Sequence, residues 1–454
     1  MGKNRQEISQ LIEAKASCFS GCLNKIFSKE KLDLLARESG FVQRKSRLDA
    51  SKFLDLLLFC DQYLDQVSLE DLANGFVEQH GLSISKQAVQ ERFNIKAVEF
   101  MSALLSQLLA GQLNLNPSEQ NKFKRFNRVM VKDSTRYTLP EAYAKTFKGH
   151  GGQGSKAQIS IQYEYDLLTN VTQRLELTAA CRNDQTDSRQ TLGDIEKGDL
   201  LVRDLGYVTQ HYLKHVSQQG AYFLNRLNSR WGVQDVDQAP IDFSAILRKL
   251  NKHTLPALEL EVKIADMPMR MIVAKVPEQV YKQRLLRAER AAHGRHKVSK
   301  EYKTRAWLNI FITNVPKAWV STSQVQGIYR TRWQIELVFK AWKSQARIDK
   351  MKAMKQERFQ CQLIARFIWI MLHYQAFRLI EQGLLDQGMA IRCSQNKFFK
   401  TAFRLSNDLK KVVFEDQPLE YWFKKLLIRS DRKYLTETKN GKQNVFKTIN
   451  NFLT

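Results

Sequence analysis

Acidic side chains are in short supply. The 454 residues carry 46 Asp and Glu against 72 Lys and Arg, a formal net charge of +26 with a pI near 9.7. Such a field repels basic partners and draws polyanions, nucleic acid before anionic membrane. Long uninterrupted apolar runs are missing as well. The most apolar stretch, residues 363–380, is broken by Arg366, His373 and Arg378, so it reads as a buried helix, and no membrane partner is expected. The start of the chain is polar and lacks the apolar segment of a secretory signal. Cysteine is sparse: Cys18, Cys22, Cys60, Cys181, Cys361 and Cys393 are scattered, and the CxxxC of Cys18 and Cys22 has no second pair to make a zinc site. A reduced cytoplasmic setting follows as the default. There is no HExxH, no CxxC…CxxC, no local serine or cysteine nucleophile motif and no internal repeat. Residues 149–156, GHGGQGSK, imitate a phosphate-binding loop but place Ser before Lys where GK[ST] is required, which leaves a flexible loop between strands.

Hydrophobic residues make up 43% of the chain, enough for a large core and roughly two to four domains. Residues 1–125 read as all-helical, with Ile8, Leu11, Ile12 and Ala16 near helical spacing and Phe53, Leu54, Leu56, Leu57 and Leu58 marking a more buried helix. Ser68, with Asp71 three residues on, caps one short helix, Gly81 breaks it, and Ser85 caps the next. This fits either a plain αα-hairpin or a helix-turn-helix offering Ser85, Lys86, Gln87 and Arg92 to DNA. From Phe126 the period changes to strands at 128–133, 158–166 and 171–178. A helix over 184–196, a strand over 199–204, a helix over 209–219 and a strand over 221–227 follow. Three strands in a meander, then helix, strand, helix, strand, is the order of an RNase H-like α/β core. Residues 231–306 read as a β-rich basic insertion (LELEVKIA, MRMIVAKV, then a basic run over 282–305), and 307–313 return as a strand. The expected division is a helical DNA-binding region over 1–125, the core over 126–230 and 307–375, the insertion, and a helical C-terminal region over 376–454.

The chain is organised around residues 328–343, IYRTRWQIELVFKAWK, which read as one helix. Tyr329, Arg332, Glu336, Lys340 and Lys343 fall on one stripe; Ile328, Ile335, Val338, Phe339 and Trp342 fall on the neighbouring face and should enter a core. The stripe is either an active-site face or a solvated row of i,i+4 ion pairs. Upstream, Asp133 and Asp204 each close an expected strand, in VKDST and LLVRDLGY. Either Asp alone could cap a turn. Acids at buried strand ends with a Glu across from them suit hard divalent cations, two Mg²⁺ with Mn²⁺ able to substitute, which support an in-line displacement at phosphorus.

The spacing Y-(2)-R-(3)-E-(6)-K of Tyr329, Arg332, Glu336 and Lys343 resembles the signature of bacterial insertion-sequence transposases of the insertion sequence four (IS-four) family. The resemblance covers about residues 128–343. It implies a DDE triad of Asp133, Asp204 and Glu336 as catalytic and metal-binding residues, with Tyr329, Arg332, Lys340 and Lys343 on DNA phosphates. Arg226 matches a phosphate-contacting Arg, or is an ordinary strand Arg. Trp307 matches a Trp that stacks a flipped base, or is a core Trp. The implied activity is cut-and-paste transposition. Double-stranded transposon ends and target DNA would be the partners, a homodimer would form the synaptic complex, and the protein would be nucleoid-associated when bound. A structure-selective nuclease on the same core, or a catalytically silent DNA-binding repressor, are the alternatives.

Overall fold

The computed structural model describes residues 19–21, 23–44, 46–59, 66–112, 125–151, 154–292, 297–386, 393–415 and 417–427. Ile8, Leu11, Ile12, Ala16, Cys18, Cys22, Cys60 and the chain beyond 427 lie outside them.

Ahead of the first strand come α1 (Lys29–Glu38), α2 (Ala50–Leu58), α3 (Leu69–His80), α4 (Lys86–Arg92) and α5 (Ile95–Ala110). Their ends follow local chemistry. Asp49, Ser68, Ser85 and Asn94 each accept a hydrogen bond from a first-turn N–H. Ser68 and Asp71 form a reciprocal capping box, and Gly81 ends α3 in the left-handed conformation at φ 64°. Arg92, expected to face DNA, turns inward instead. Its guanidinium donates to the Leu48 carbonyl at 2.9 Å and to the Ser46 hydroxyl, satisfying acceptors of the loop before α2.

The middle of the chain supplies β1 (Val129–Thr138), β2 (Gln158–Asp166), β3 (Thr172–Ala179), α6 (Asp184–Gln190), β4 (Leu200–Arg203), α7 (Gln210–Gln218) and β5 (Tyr222–Arg226). Next come α8 (Phe243–Lys252), β6 (Ala257–Ile264), β7 (Met267–Lys275), α9 (Glu278–Ala291), α10 (Lys300–Ala306) and β8 (Leu308–Thr313). The strands form one mixed sheet in the order β3-β2-β1-β4-β5-β8-β7-β6. β1, β4 and β5 run parallel to one another and every other pairing is antiparallel. Residues 231–306 therefore extend this sheet beyond β8, through a hairpin whose two turn residues, Ala265 and Asp266, both have positive φ. The loop over 149–156 is closed by a bridge between Lys148 and Ala157. A Cβ on Gly149 would meet the Ser155 carbonyl at 2.1 Å, so glycine is required there by chain crossing.

Two expectations change. β1 does not end at Asp133 but runs to Thr138, because it goes on pairing with β2 after its parallel partner β4 has stopped. The 328–343 helix is interrupted, as α11 (Thr322–Arg330) and α12 (Trp333–Ser344). The Thr331 hydroxyl donates to the Ile328 carbonyl at 2.6 Å, the same oxygen that its own N–H reaches at 2.9 Å. Thr331 and Arg332 thus close i−3 bonds and tighten the turn.

Strand alternation divides the core. Val129 and Val131 of β1 enter one hydrophobic cluster with α5, α11, α12 and the long α13 (Gln356–Asp386), while Met130 enters a second with α7, α8, β6 and β7. In α13 the apolar window that would suffice in length and composition for a membrane span is wholly buried within the protein. Its polar members are buried with it: Arg378 donates to the Thr169 carbonyl at 3.1 Å. Helices α14 (Gln395–Arg404), α15 (Ser406–Phe414) and α16 (Leu419–Leu427) complete the described chain.

The apolar face foreseen for 328–343 is buried throughout: Ile328, Ile335, Val338, Phe339 and Trp342. Trp342 seats α12 on the sheet, its ring centroid 4.8 Å from Tyr163 of β2 and 5.4 Å from Phe367 of α13. Trp342→Ala should cost about 3–5 kcal/mol, the range for deleting a large buried aromatic side chain. Urea denaturation checks this; a loss below about 1 kcal/mol would mean that α12 is held by other contacts.

Candidate active site

Three elements converge at the edge where β4 ends. Asp133 is the first β1 residue past the β4 pairing, which stops at Lys132 and Arg203. Asp204 directly follows β4 and opens a single 3₁₀ turn over Leu205–Tyr207. Glu336 lies in the first turn of α12. The turn after Asp204 is close-packed: a Cβ on Gly206 would stand 3.0 Å from an Asp184 carboxylate oxygen, which would have to give way.

The side chain that brings the acids together is Arg332. One of its terminal nitrogens donates to Asp133 at 2.9 Å, the other to Glu336 at 2.9 Å, and its Nε lies 3.9 Å from Asp204. Burial works against the guanidinium, but Asp204 and Asp133 hold its pKa above the ordinary value. Asp133 sits deepest of the three acids. Burial pushes its carboxyl up to about 6; the Ser134 N–H and Arg332 pull against this, and Asp204 and Glu336 add to it.

Beside the acids runs a groove of about 610 Å³ lined by Asp133, Ser134, Glu336, Phe339, Lys340, Lys343 and Ser344. Lys340 is exposed, and the Lys343 ammonium donates to the Arg136 carbonyl at 3.4 Å. Tyr329 is within reach of Asp204 and Arg332. Burial pushes its phenol up to about 12, with Asp204 adding and Arg332 and Arg226 opposing, so Arg226 lies within electrostatic reach of Tyr329. Trp307 makes its ring contacts elsewhere, stacked on Tyr281 at 4.0 Å with the Lys275 ammonium 4.9 Å from its ring centre.

Sequence reasoning missed Asp184, which accepts from Ser134 and Arg136 beside Asp133. The only signal was its place at a helix start, where an acid is unremarkable. It also missed Trp333, 55% exposed just after Arg332.

The chemistry of this donor set fits a hard divalent cation: three carboxylates at one sheet edge, one of them raised by burial and by its acidic neighbours, already sharing one positive charge. Among the described residues no three His, Cys, Asp or Glu side chains stand together as a ready ligand set. Here the Arg332 guanidinium binds all three acids.

A parallel-centred mixed sheet with acids at one edge and a Glu-bearing helix packed over it defines a polynucleotidyl-transfer type of site. The family model for the transposase DDE domain matches residues 124–372, more than half of the chain. The chain belongs to that family and is a DDE transposase. Membership implies an RNase H-like core, dependence on a divalent metal, and action on DNA. Among its relatives, the transposase for insertion sequence element IS231F of Bacillus thuringiensis subsp. israelensis is 29% identical, covering 80% of this chain and 81% of its own length. The transposase for IS1151 of Clostridium perfringens is 28% identical over 79% of this chain and 80% of its own. The InsL protein for IS186A of Escherichia coli, described as a transposase, is 25% identical over 77% and 91%.

The raised Asp133 value sets a pH dependence. The folded value of about 6 lies above that of the unfolded chain, so folding favours the protonated acid. The stability this contributes is complete below pH ~4 and is lost as the pH rises through about 6. In chelator-treated buffer, Asp133→Asn should therefore melt above the parent beyond pH ~6, with the gap closing as the pH falls towards ~4. A gap that stays constant across this window would show that Asp133 ionises as an ordinary carboxylate.

Proposed function

We propose that this transposase binds the terminal inverted repeats of an insertion sequence and moves it by cut-and-paste: strand nicking, hairpin formation, hairpin resolution and joining of the 3′ ends to target DNA. Asp133, Asp204 and Glu336 hold two Mg²⁺ ions, for which Mn²⁺ can substitute. Bound there, the ions supply activation of the attacking oxygen and charge stabilisation of the leaving one. The observation that carries this reading is the meeting of the three acids on Arg332 at the mouth of a groove bearing Lys340 and Lys343.

The cationic side chains take the other half of the work. Lys340 and Lys343 line the groove next to Glu336, so a phosphodiester laid across the acids meets positive charge there, and Arg226 and Tyr329 add further contacts to the DNA backbone. Contacts of this kind fix the register of the backbone without reading sequence. When Arg332 passes from the acids to a DNA phosphate it frees them for cations. Trp307, just ahead of β8, stacks a flipped base. The helical region over 1–125 contributes DNA contacts through the α3–α4 pair, residues 126–230 and 307–375 form the catalytic core, residues 231–306 are the basic insertion, and 376–454 form the helical C-terminal region. Two protomers synapse two ends as a homodimer.

Asp133→Asn, Asp204→Asn and Glu336→Gln should each remove cleavage of element ends while leaving end binding nearly intact, because affinity comes mainly from Lys and Arg. Gel-shift and cleavage assays on the same preparations test this. Near-normal cleavage by any one variant would remove that residue from the triad. End binding should also weaken by roughly three or more orders of magnitude between low and moderate salt; a flat response would rule out phosphate-dominated binding.

A further inference from the structure

Behind the three acids, on the other face of the sheet, lies a second cluster of charge that the proposed chemistry does not use. Lys132 precedes Asp133 and Arg203 precedes Asp204, and consecutive strand residues leave on opposite faces. Pairing sets Glu164 of β2 opposite Lys132 of β1, and Lys132 opposite Arg203 of β4, so the three form a row across three strands. All are buried: Lys132 at 0%, Arg203 at 1% and Glu164 at 3% exposure. Arg203 donates to one Glu164 oxygen at 2.7 Å, and the Lys132 ammonium lies 3.6 Å from the other. A single carboxylate thus takes one cation from each of the two Asp-bearing strands. Helix α6 closes the cluster: Asp187 pairs with Lys132 and with Arg182, and Ser188 accepts from Arg203 at 3.3 Å.

Buried ion pairs of this kind add little net stability over well-packed apolar residues; what they can provide is a unique register. Register is at stake here because β4 pairs with β1 over only four residues, Val129 to Lys132. A slip of β4 by one residue would part Arg203 from Glu164 and present Asp204 to the wrong face. We propose that Glu164 is a positioning residue that clamps β1 to β4 and so fixes the spacing of Asp133 and Asp204 as ligands. This rests on the assignment of those two acids made above.

Glu164→Gln keeps the size and removes the shared charge. It should bind element ends like the parent, yet bind Mn²⁺ about tenfold or more weakly by calorimetry and need correspondingly more Mg²⁺ for half-maximal cleavage, as loss of an outer-shell partner does. Because it leaves Arg203 buried without its carboxylate, its melting temperature should fall. The double variant Glu164→Gln/Arg203→Met removes both charges and leaves Lys132 with Asp187. Its melting temperature should recover while Mn²⁺ affinity stays low. Recovery of both together, or parental Mn²⁺ affinity in Glu164→Gln, would overturn the proposal and leave the row a purely structural feature. If Glu164→Gln does not fold, the double variant alone decides by the same criterion. The Asp133→Asn and Asp204→Asn variants run alongside separate the two readings: if they keep parental Mn²⁺ binding, the metal assignment itself has failed.

Discussion

Like charges gathered at one edge repel, and the site exists only because something positive offsets them. In the free protein that something is the Arg332 guanidinium, which reaches Asp133, Glu336 and Asp204 from one side chain. Asp133, the most buried of the three, is raised by its burial. Cation, carboxylates and burial therefore form one balance. Removing any member shifts the others. The short turn at Thr331 matters for this reason: it ends α11 and places Arg332 at the start of α12, one turn before Glu336.

Much of this was legible in the sequence. The Tyr-Arg-Glu-Lys spacing, with apolar residues on the adjoining face, located the helix whose buried and polar sides the structure reproduces. Cap chemistry at Ser68, Gly81 and Ser85 located both ends of α3 and the start of α4. The strand order from β1 to β5 was readable from period alone, since its connections are short. What escaped depended on partners distant in sequence. That β1 outlasts Asp133 is decided by β2, some thirty residues away in the register of Asp133 with Tyr163. The inward turn of Arg92 depends on acceptors at Ser46 and Leu48. The place of β6 and β7 in the main sheet depends on β8 pairing to both β5 and β7, which no local pattern encodes. The charged residues Lys132, Glu164 and Arg203 looked like the polar half of alternating strands; only pairing shows them on a buried face.

The long helix α13 has a consequence of its own. Near its start Lys355 and Arg358 donate to the carbonyls of Phe93 and Val67, in the N-terminal helical region. Midway, Trp369 donates to Ser406 in α15, and further along Arg378 donates to Thr169 in the β2–β3 turn. One rigid rod is thus bolted to the head, the sheet and the tail of the molecule. The N-terminal helices, the β2–β3 turn and α15 therefore share one partner, so none of them can shift against α13 without breaking one of these hydrogen bonds.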